Sequence, residues 1–163
     1  MTTCREIMKR DVHCLAPSDS AIAAAGLMRD QNVGFLPVCD ERRKVMGTIT
    51  DRDLAIRCLA EQLEGSTPVE QIMTREVVAC DPEDDLFEAA ALMATHRKSR
   101  IMCIGQDGVL VGVISLSDIA QFDGVHAAIA LNEIGRREQS HTRYPPPESK
   151  RVKLSLICSD RLD

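Results

Sequence analysis

The sequence predicts an α/β protein of the α+β kind: two tandem β-α-β-β-α repeats packed sheet to sheet about a pseudo-twofold axis. Three observations lead there. Residues 7–55 slide onto residues 72–120 without a gap, with identities at Ile7/Ile72, Met8/Met73, Pro17/Pro82, Ala24/Ala89, Met28/Met93, Gly47/Gly112 and Asp53/Asp118 among others. A register held that long marks a duplication. One corner also recurs, Gly47-Thr48-Ile49-Thr50-Asp51-Arg52-Asp53 in the first copy and Gly112-Val113-Ile114-Ser115-Leu116-Ser117-Asp118 in the second. Finally, a copy of about 50 residues buries too little apolar surface to stand comfortably alone, so the copies are expected to share a core.

Within a copy the elements follow from periodicity and punctuation. Residues 12–15, Val-His-Cys-Leu, read as a short strand closed by Pro17. Residues 19–31 place Ile22, Ala25 and Met28 on one helical stripe, with Asp19 or a neighbour as cap. Residues 34–39 and 45–50 are strands separated by the polar turn 40–43, and a second helix is expected over 51–61. The second copy repeats this at 77–80, 84–96, 100–104, 109–115 and 116–122. Gly65 and Pro68 mark a linker, which divides the chain into repeat 1 (1–63), repeat 2 (64–123) and a C-terminal segment (124–163).

The corner carries two compatible readings. A hydroxyl followed three residues later by an acid is a capping box, worth about 1 kcal/mol. The same carboxylate at a strand-to-helix corner can also accept both hydroxyls of a ribose, while the hydroxyl and free helix N–H groups receive phosphate. The corner alone leaves both open.

Composition narrows the field. The net charge is −5, against a duplex nucleic-acid surface as partner, and with no Trp, one Tyr and three Phe the stacking platforms for single strands are nearly absent. There is no apolar h-region at the start and no apolar run near the ~20 residues that span a membrane, so a cytoplasmic protein is expected. The histidines, His13, His96, His126 and His141, are scattered, and no Cys-x-x-Cys pair occurs, so no metal site is nominated. His96 and Cys103 lack any flanking catalytic motif, and no enzyme is expected. Arg42-Arg43-Lys44 and Arg97-Lys98 read as solvated turns, with a phosphate-facing role for Arg97 second.

In series and twice over, Ile7-Met8, the Val12/Pro17 spacing, Ala24 to Met28, Leu36-Pro37-Val38 and the Gly-x-Ile-Thr-x-x-Asp corner resemble a pair of CBS (cystathionine β-synthase) domains joined as a Bateman module. Met1-Thr2-Thr3 and Thr50-Asp51-Arg52-Asp53 are similar to the small stand-alone bacterial CBS-pair proteins of the hypoxic-response type. The resemblance implies a cleft between the repeats for adenosine ligands such as AMP, ATP or S-adenosylmethionine, bound as regulators and not as required cofactors. Carried over by position, Asp53 and Asp118 would take ribose hydroxyls, and Thr50 and Ser115 would meet phosphate. Val12, Val77 and the strands beginning at Phe35 and Arg100 would frame adenine, with Arg100 also in reach of phosphate. Repeat 2 departs from the pattern where Ile101-Met102-Cys103 replaces Leu36-Pro37-Val38. The family also implies a homodimer through the helices containing Ala24, Met28, Ala89 and Met93, and signalling to a protein effector. The alternative is a ligand-free dimeric interaction module induced under stress.

Two expectations remain. Val125 to Ile134 is apolar at helical spacing, while 145–147 is Pro-Pro-Pro and 152–157 alternates like an edge strand. Of seven cysteines, Cys14 and Cys39 lie in strands of one small sheet, so their Cα atoms are expected within about 7 Å, either as a disulfide or as two thiols.

Overall fold

A computed structural model describes residues 2–140, with side chains through residue 136. Repeat 1 contains α1 (Cys4–Ile7), α2 (Ala21–Gln31), β1 (Phe35–Cys39), β2 (Val45–Thr50) and α3 (Asp51–Asp53). The last of these runs on as a π-helical stretch over Leu54–Leu59. Repeat 2 contains α4 (Val69–Ile72), β3 (Ala79–Cys80), α5 (Leu86–His96), β4 (Arg100–Ile104), β5 (Leu110–Ser115) and α6 (Leu116–Ala120), and α7 (Gly124–Ser140) follows. The third helix expected over 125–134 is thus present and longer. The alternating segment at 152–157 lies outside the described residues.

The two long repeat helices, α2 and α5, are built alike. Ser20 and Asp85, register mates, accept the N–H of Ala23 and Glu88, and Asn32 and Arg97 end the helices in the left-handed conformation. Asp19 and Asp84 stand one residue ahead of these caps. Their carboxylates instead accept the N–H groups of Ala16 and Asp81, both at 2.8 Å, closing the turn that leads in.

In each repeat an antiparallel hairpin carries the core, β1 on β2 with Phe35 opposite Thr50 and β4 on β5 with Arg100 opposite Ser115, and each has a bulge at the same register position. β3 lies parallel to β4. Its expected counterpart at 12–15 shrinks to one bridge, Leu15 to Val38. Pro37 is the cause: it has no N–H, whereas its mate Met102 donates to Val78 O at 3.4 Å. The missing donor shortens the strand by removing a rung.

Each repeat's opening helix is buried in the other repeat's core. Cys4 and Met8 pack among Leu86, Ala89, Met93, Ile101 and Ile114, while Val69, Ile72 and Met73 pack among Ala24, Leu36, Val38 and Ile49. Backbone ladders fix the exchange, Lys9 with Val113 and Thr74 with Thr48, each through two hydrogen bonds of 2.8–3.0 Å. This reciprocity is what a pseudo-twofold relation between repeats produces. It also explains the corner glycines. A Cβ on Gly47 would stand 2.7 Å from Thr74 O, and one on Gly112 would stand 2.7 Å from Met8 Sδ. A third cluster joins the two sheets, with Cys39, Met102, Leu110 and Val113 at its centre and Val12, Phe35, Val45 and Val77 around them.

Candidate functional site

Both corners fold as complete capping boxes. In the first, Thr50 Oγ1 accepts the Asp53 N–H at 3.1 Å. Asp53 Oδ2 in turn accepts the Thr50 N–H at 2.9 Å and the Thr50 hydroxyl at 2.8 Å. In the second, Asp118 Oδ2 accepts the Ser115 N–H at 2.9 Å and the Ser115 hydroxyl, and Ser115 Oγ accepts the Asp118 N–H at 3.3 Å. The caps satisfy backbone groups that a helix start leaves unpaired.

The remaining carboxylate oxygens differ in their partners. Asp53 Oδ1 is 3.5 Å from Arg57 Nε, one turn further along the same helix. Arg57 also donates through Nη1 to Ile72 O at 3.1 Å and Met73 O at 3.0 Å, which ties the corner to α4. Asp118 Oδ1 is 3.3 Å from Lys9 Nζ, a side chain delivered by the exchanged N-terminal segment. Lys9 is the register mate of Thr74, which carries no charge. Burial pushes the Asp118 carboxyl up, but the Ser115 hydroxyl and N–H together with Lys9 outweigh it and hold it below the usual carboxylate value.

A cleft of about 920 Å³ opens beside the first corner, a size suited to a nucleotide. Its wall brings together four of the expected residues, Phe35, Thr50, Asp53 and Arg100. Ser115 and Asp118 are not among its lining residues. Val12 and Val77 lie instead in the cluster between the sheets, and Val78, next to Val77, reaches the cleft. Arg52, Lys98, Thr74, Glu76, Ser99 and Met102 also line it and were missed in the sequence. Lys98 and Ser99 had a signal, adjacency to Arg100 on the strand entry; Thr74 and Glu76 had none, because they arrive from the exchanged segment after α4. Arg97 serves as the left-handed C-cap of α5. Among the described residues no group of three or more His, Cys, Asp or Glu side chains is arranged to hold a metal ion.

Cys14 and Cys39 share a thiol–thiol hydrogen bond, and both are free thiols here. A hydrogen bond from Cys39 lowers the Cys14 thiol to about 7 against its burial, with Arg43 assisting.

This fold and site define a class: a tandem repeat module with a polar strand-to-helix corner in each half and a cleft at one of them. The chain belongs to the CBS domain family, whose model matches residues 4–59 and 69–124. It is similar to the CBS domain-containing protein YhcV of Bacillus subtilis, 35% identical over 84% of this chain and 98% of that protein. It is also similar to Hypoxic response protein 1 of Mycobacterium tuberculosis, 32% identical over 79% of this chain and 90% of that protein. A crystal structure of Hypoxic Response Protein I with two coordinated zinc ions matches with a TM-score of 0.68 at 32% identity, over 74% of this chain and 98% of that one. The CBS domain pair of protein MJ0100, solved in complex with 5′-methylthioadenosine and S-adenosyl-L-methionine, matches with a TM-score of 0.67 at 27% identity, over 76% of this chain and 97% of that one. No helix among the described residues is long and apolar enough to cross a membrane.

Proposed function

We propose that this chain is a regulatory, non-catalytic module that binds an adenosine-containing ligand of the AMP, ATP or S-adenosylmethionine class at the first corner and signals its presence to a protein effector in the cytoplasm. The observation that carries this is the cleft of about 920 Å³ whose wall includes Thr50, Asp53, Lys98 and Arg100. Asp53 takes the ribose hydroxyls, Phe35 and Met102 offer apolar contact to adenine, and Thr50, Arg52, Lys98 and Arg100 meet phosphate or a charged tail. The ligands of the MJ0100 pair support the adenosine class. One ligand per chain is expected, bound in this cleft at the first corner. Isothermal titration calorimetry with AMP, ATP, NAD and S-adenosylmethionine tests it: saturable binding near one equivalent is expected. No heat with any of them returns the protein to the second reading, a ligand-free interaction module. That reading is favoured by one fact, that both corner carboxylates are already satisfied by their own capping boxes.

A homodimer is part of the proposal. Ala24, Met28, Ala89 and Met93 face their own cores, and the outer faces of the same two helices present the register mates Ile22 and Phe87, 71% and 56% exposed. An isologous interface through those faces covers both. Light scattering should give twice the 18.0 kDa chain mass.

A further inference from the structure

We infer that Cys4, Cys80 and Cys103 form an oxidation site, in which a hydroperoxide joins Cys4 to Cys80 and ties α1 covalently to the sheet of repeat 2. Three elements bring the sulfurs together. Cys80 Sγ lies 3.8 Å from Cys4 Sγ and 3.5 Å from Cys103 Sγ. Cys80 and Cys103 are cross-strand partners in the parallel pair, and Cys4 opens α1, which the exchange described above seats on that pair. All three are buried.

A single buried cysteine is an ordinary small apolar residue. What sets this group apart is its counterpart. The register mates of Cys4, Cys80 and Cys103 are Val69, Leu15 and Val38, which occupy the same place in the core of repeat 1. Hydrocarbon fills that place in one half, and three thiols fill it in the other.

The hydrogen bonds assign the roles. The Cys80 thiol donates toward Cys4 sulfur. Donation from Cys103 and Cys80 lowers the Cys4 thiol to about 4, in spite of burial and of Asp85 and Asp81 nearby. Of the three, Cys4 is the thiol shifted toward ionisation, and once its proton, now donated to Asp85 O at 3.8 Å, is lost, the thiolate is the form that attacks. Its sulfur attacks the nearer peroxide oxygen, the O–O bond breaks, and the products are a Cys4 sulfenic acid and hydroxide, or alkoxide from an organic hydroperoxide. Cys80 sulfur then attacks the sulfenic sulfur, its proton leaves with the departing hydroxyl as water, and the disulfide forms. Two thiols have lost two electrons and two protons, and the peroxide has been reduced to two waters, or to water and an alcohol.

Access comes through α1. This helix has four residues near the start of the described chain. It is held by the Cys4 and Arg5 N–H groups on Asp84 O and Pro82 O, and by the exposed Arg5–Glu83 ion pair. Short segments held by few hydrogen bonds open locally far more often than the whole fold does. Five residues beyond Cys4 the same segment delivers Lys9 to Asp118, so a bridge at Cys4 holds that ion pair in place.

The test uses the full chain. It is treated with graded hydrogen peroxide, unfolded, alkylated at free thiols and digested with trypsin, which cuts after Arg5, Arg75, Arg97 and Arg100 and so separates the three cysteines. Mass spectrometry should find peptide 1–5 joined to peptide 76–97, two hydrogens lighter than their sum and released by reduction. The link should appear at lower peroxide than any loss of alkylation at the isolated Cys58. Full alkylation of Cys4 after Cys58 is oxidised, or a Cys80–Cys103 link with Cys4 free, overturns the inference. A variant carrying Cys80→Ser and Cys103→Ser keeps a hydrogen-bond donor at each position and has no resolving thiol. Its Cys4 should accumulate a dimedone adduct under peroxide, and failure to do so in the folded variant removes Cys4 from the role of attacking thiol.

Discussion

The two corners of this molecule have the same sequence pattern, the same capping box and different electrostatic surroundings. Asp53 is answered from its own helix by Arg57 and faces a cleft; Asp118 is answered from the other end of the chain by Lys9. The two acids have nearly equal side-chain exposure, 14% and 12%, so burial does not distinguish them. The partner does. Duplication copied a local motif, but its neighbours come from the exchanged segments, where Thr74 and Lys9 have diverged. A copied motif therefore need not be a copied site.

The comparison can be broken most forcefully in the cores that support each corner. Ile49 and Ile114 are register mates, both fully buried one residue before the capping hydroxyl. Ile49→Ala and Ile114→Ala should each cost about 2–5 kcal/mol in urea unfolding. A loss confined to one of them would mean that the halves are not equivalent in packing.

The next test separates the corner glycines. The Cβ of Gly47→Ala meets a backbone oxygen, whereas that of Gly112→Ala first meets the flexible Met8 thioether. Overpacking costs about 1–3 kcal/mol, and Gly47→Ala should sit at the upper end with Gly112→Ala at the lower. The reverse order would contradict the crossing geometry.

The carboxylates themselves should part company in binding. Asp53→Ala is expected to weaken adenosine-ligand affinity by about 1–3 kcal/mol, the cost of leaving hydrogen-bonding groups without a partner. Asp118→Ala should leave that affinity within about threefold and act on stability instead. Calorimetry beside thermal unfolding reads both quantities.

The smallest effect is in pH. Because the Asp118 carboxyl is held below its unfolded value near 3.9, its contribution is complete above that value and fades as pH falls through the lower folded one. Lys9 is 70% exposed at its side chain, so its share is about 0–1 kcal/mol. Thermal unfolding from pH 6 down to pH 2 should show an acid loss that begins at the same pH in both proteins but is smaller, and complete at slightly higher pH, in Lys9→Met than in the wild type. Identical profiles would show that Lys9 does not hold Asp118 in solution.

Much of this architecture could be read from residues close together in the chain. The hairpins, the two long helices, the αL ends and the capping boxes depend on contacts three to fifteen residues apart, and periodicity and the duplicated register report those directly. The strand expected at 12–15 failed for a reason outside its own neighbourhood, the missing N–H of Pro37 more than twenty residues on, which could have been weighed had the neighbouring strand been known. The candidate site was half legible. Phe35, Thr50, Asp53 and Arg100 lie on strand ends and a corner that the motif marks, whereas Thr74 and Glu76 lie in a connecting segment with no pattern of its own.

The sequence by itself determined the repeat, its elements and the chemistry offered at each corner, because those rest on local propensity and on a register that no later folding event can shift. Only the tertiary structure decided which helix completes which core, that Lys9 rather than Arg57's mate answers Asp118, and that cysteines at 4, 80 and 103 meet at one point. The physical reason is separation. Those pairings join residues about 20 to 110 positions apart along the chain, and nothing in a residue's own neighbourhood records what the pseudo-twofold packing will set against it.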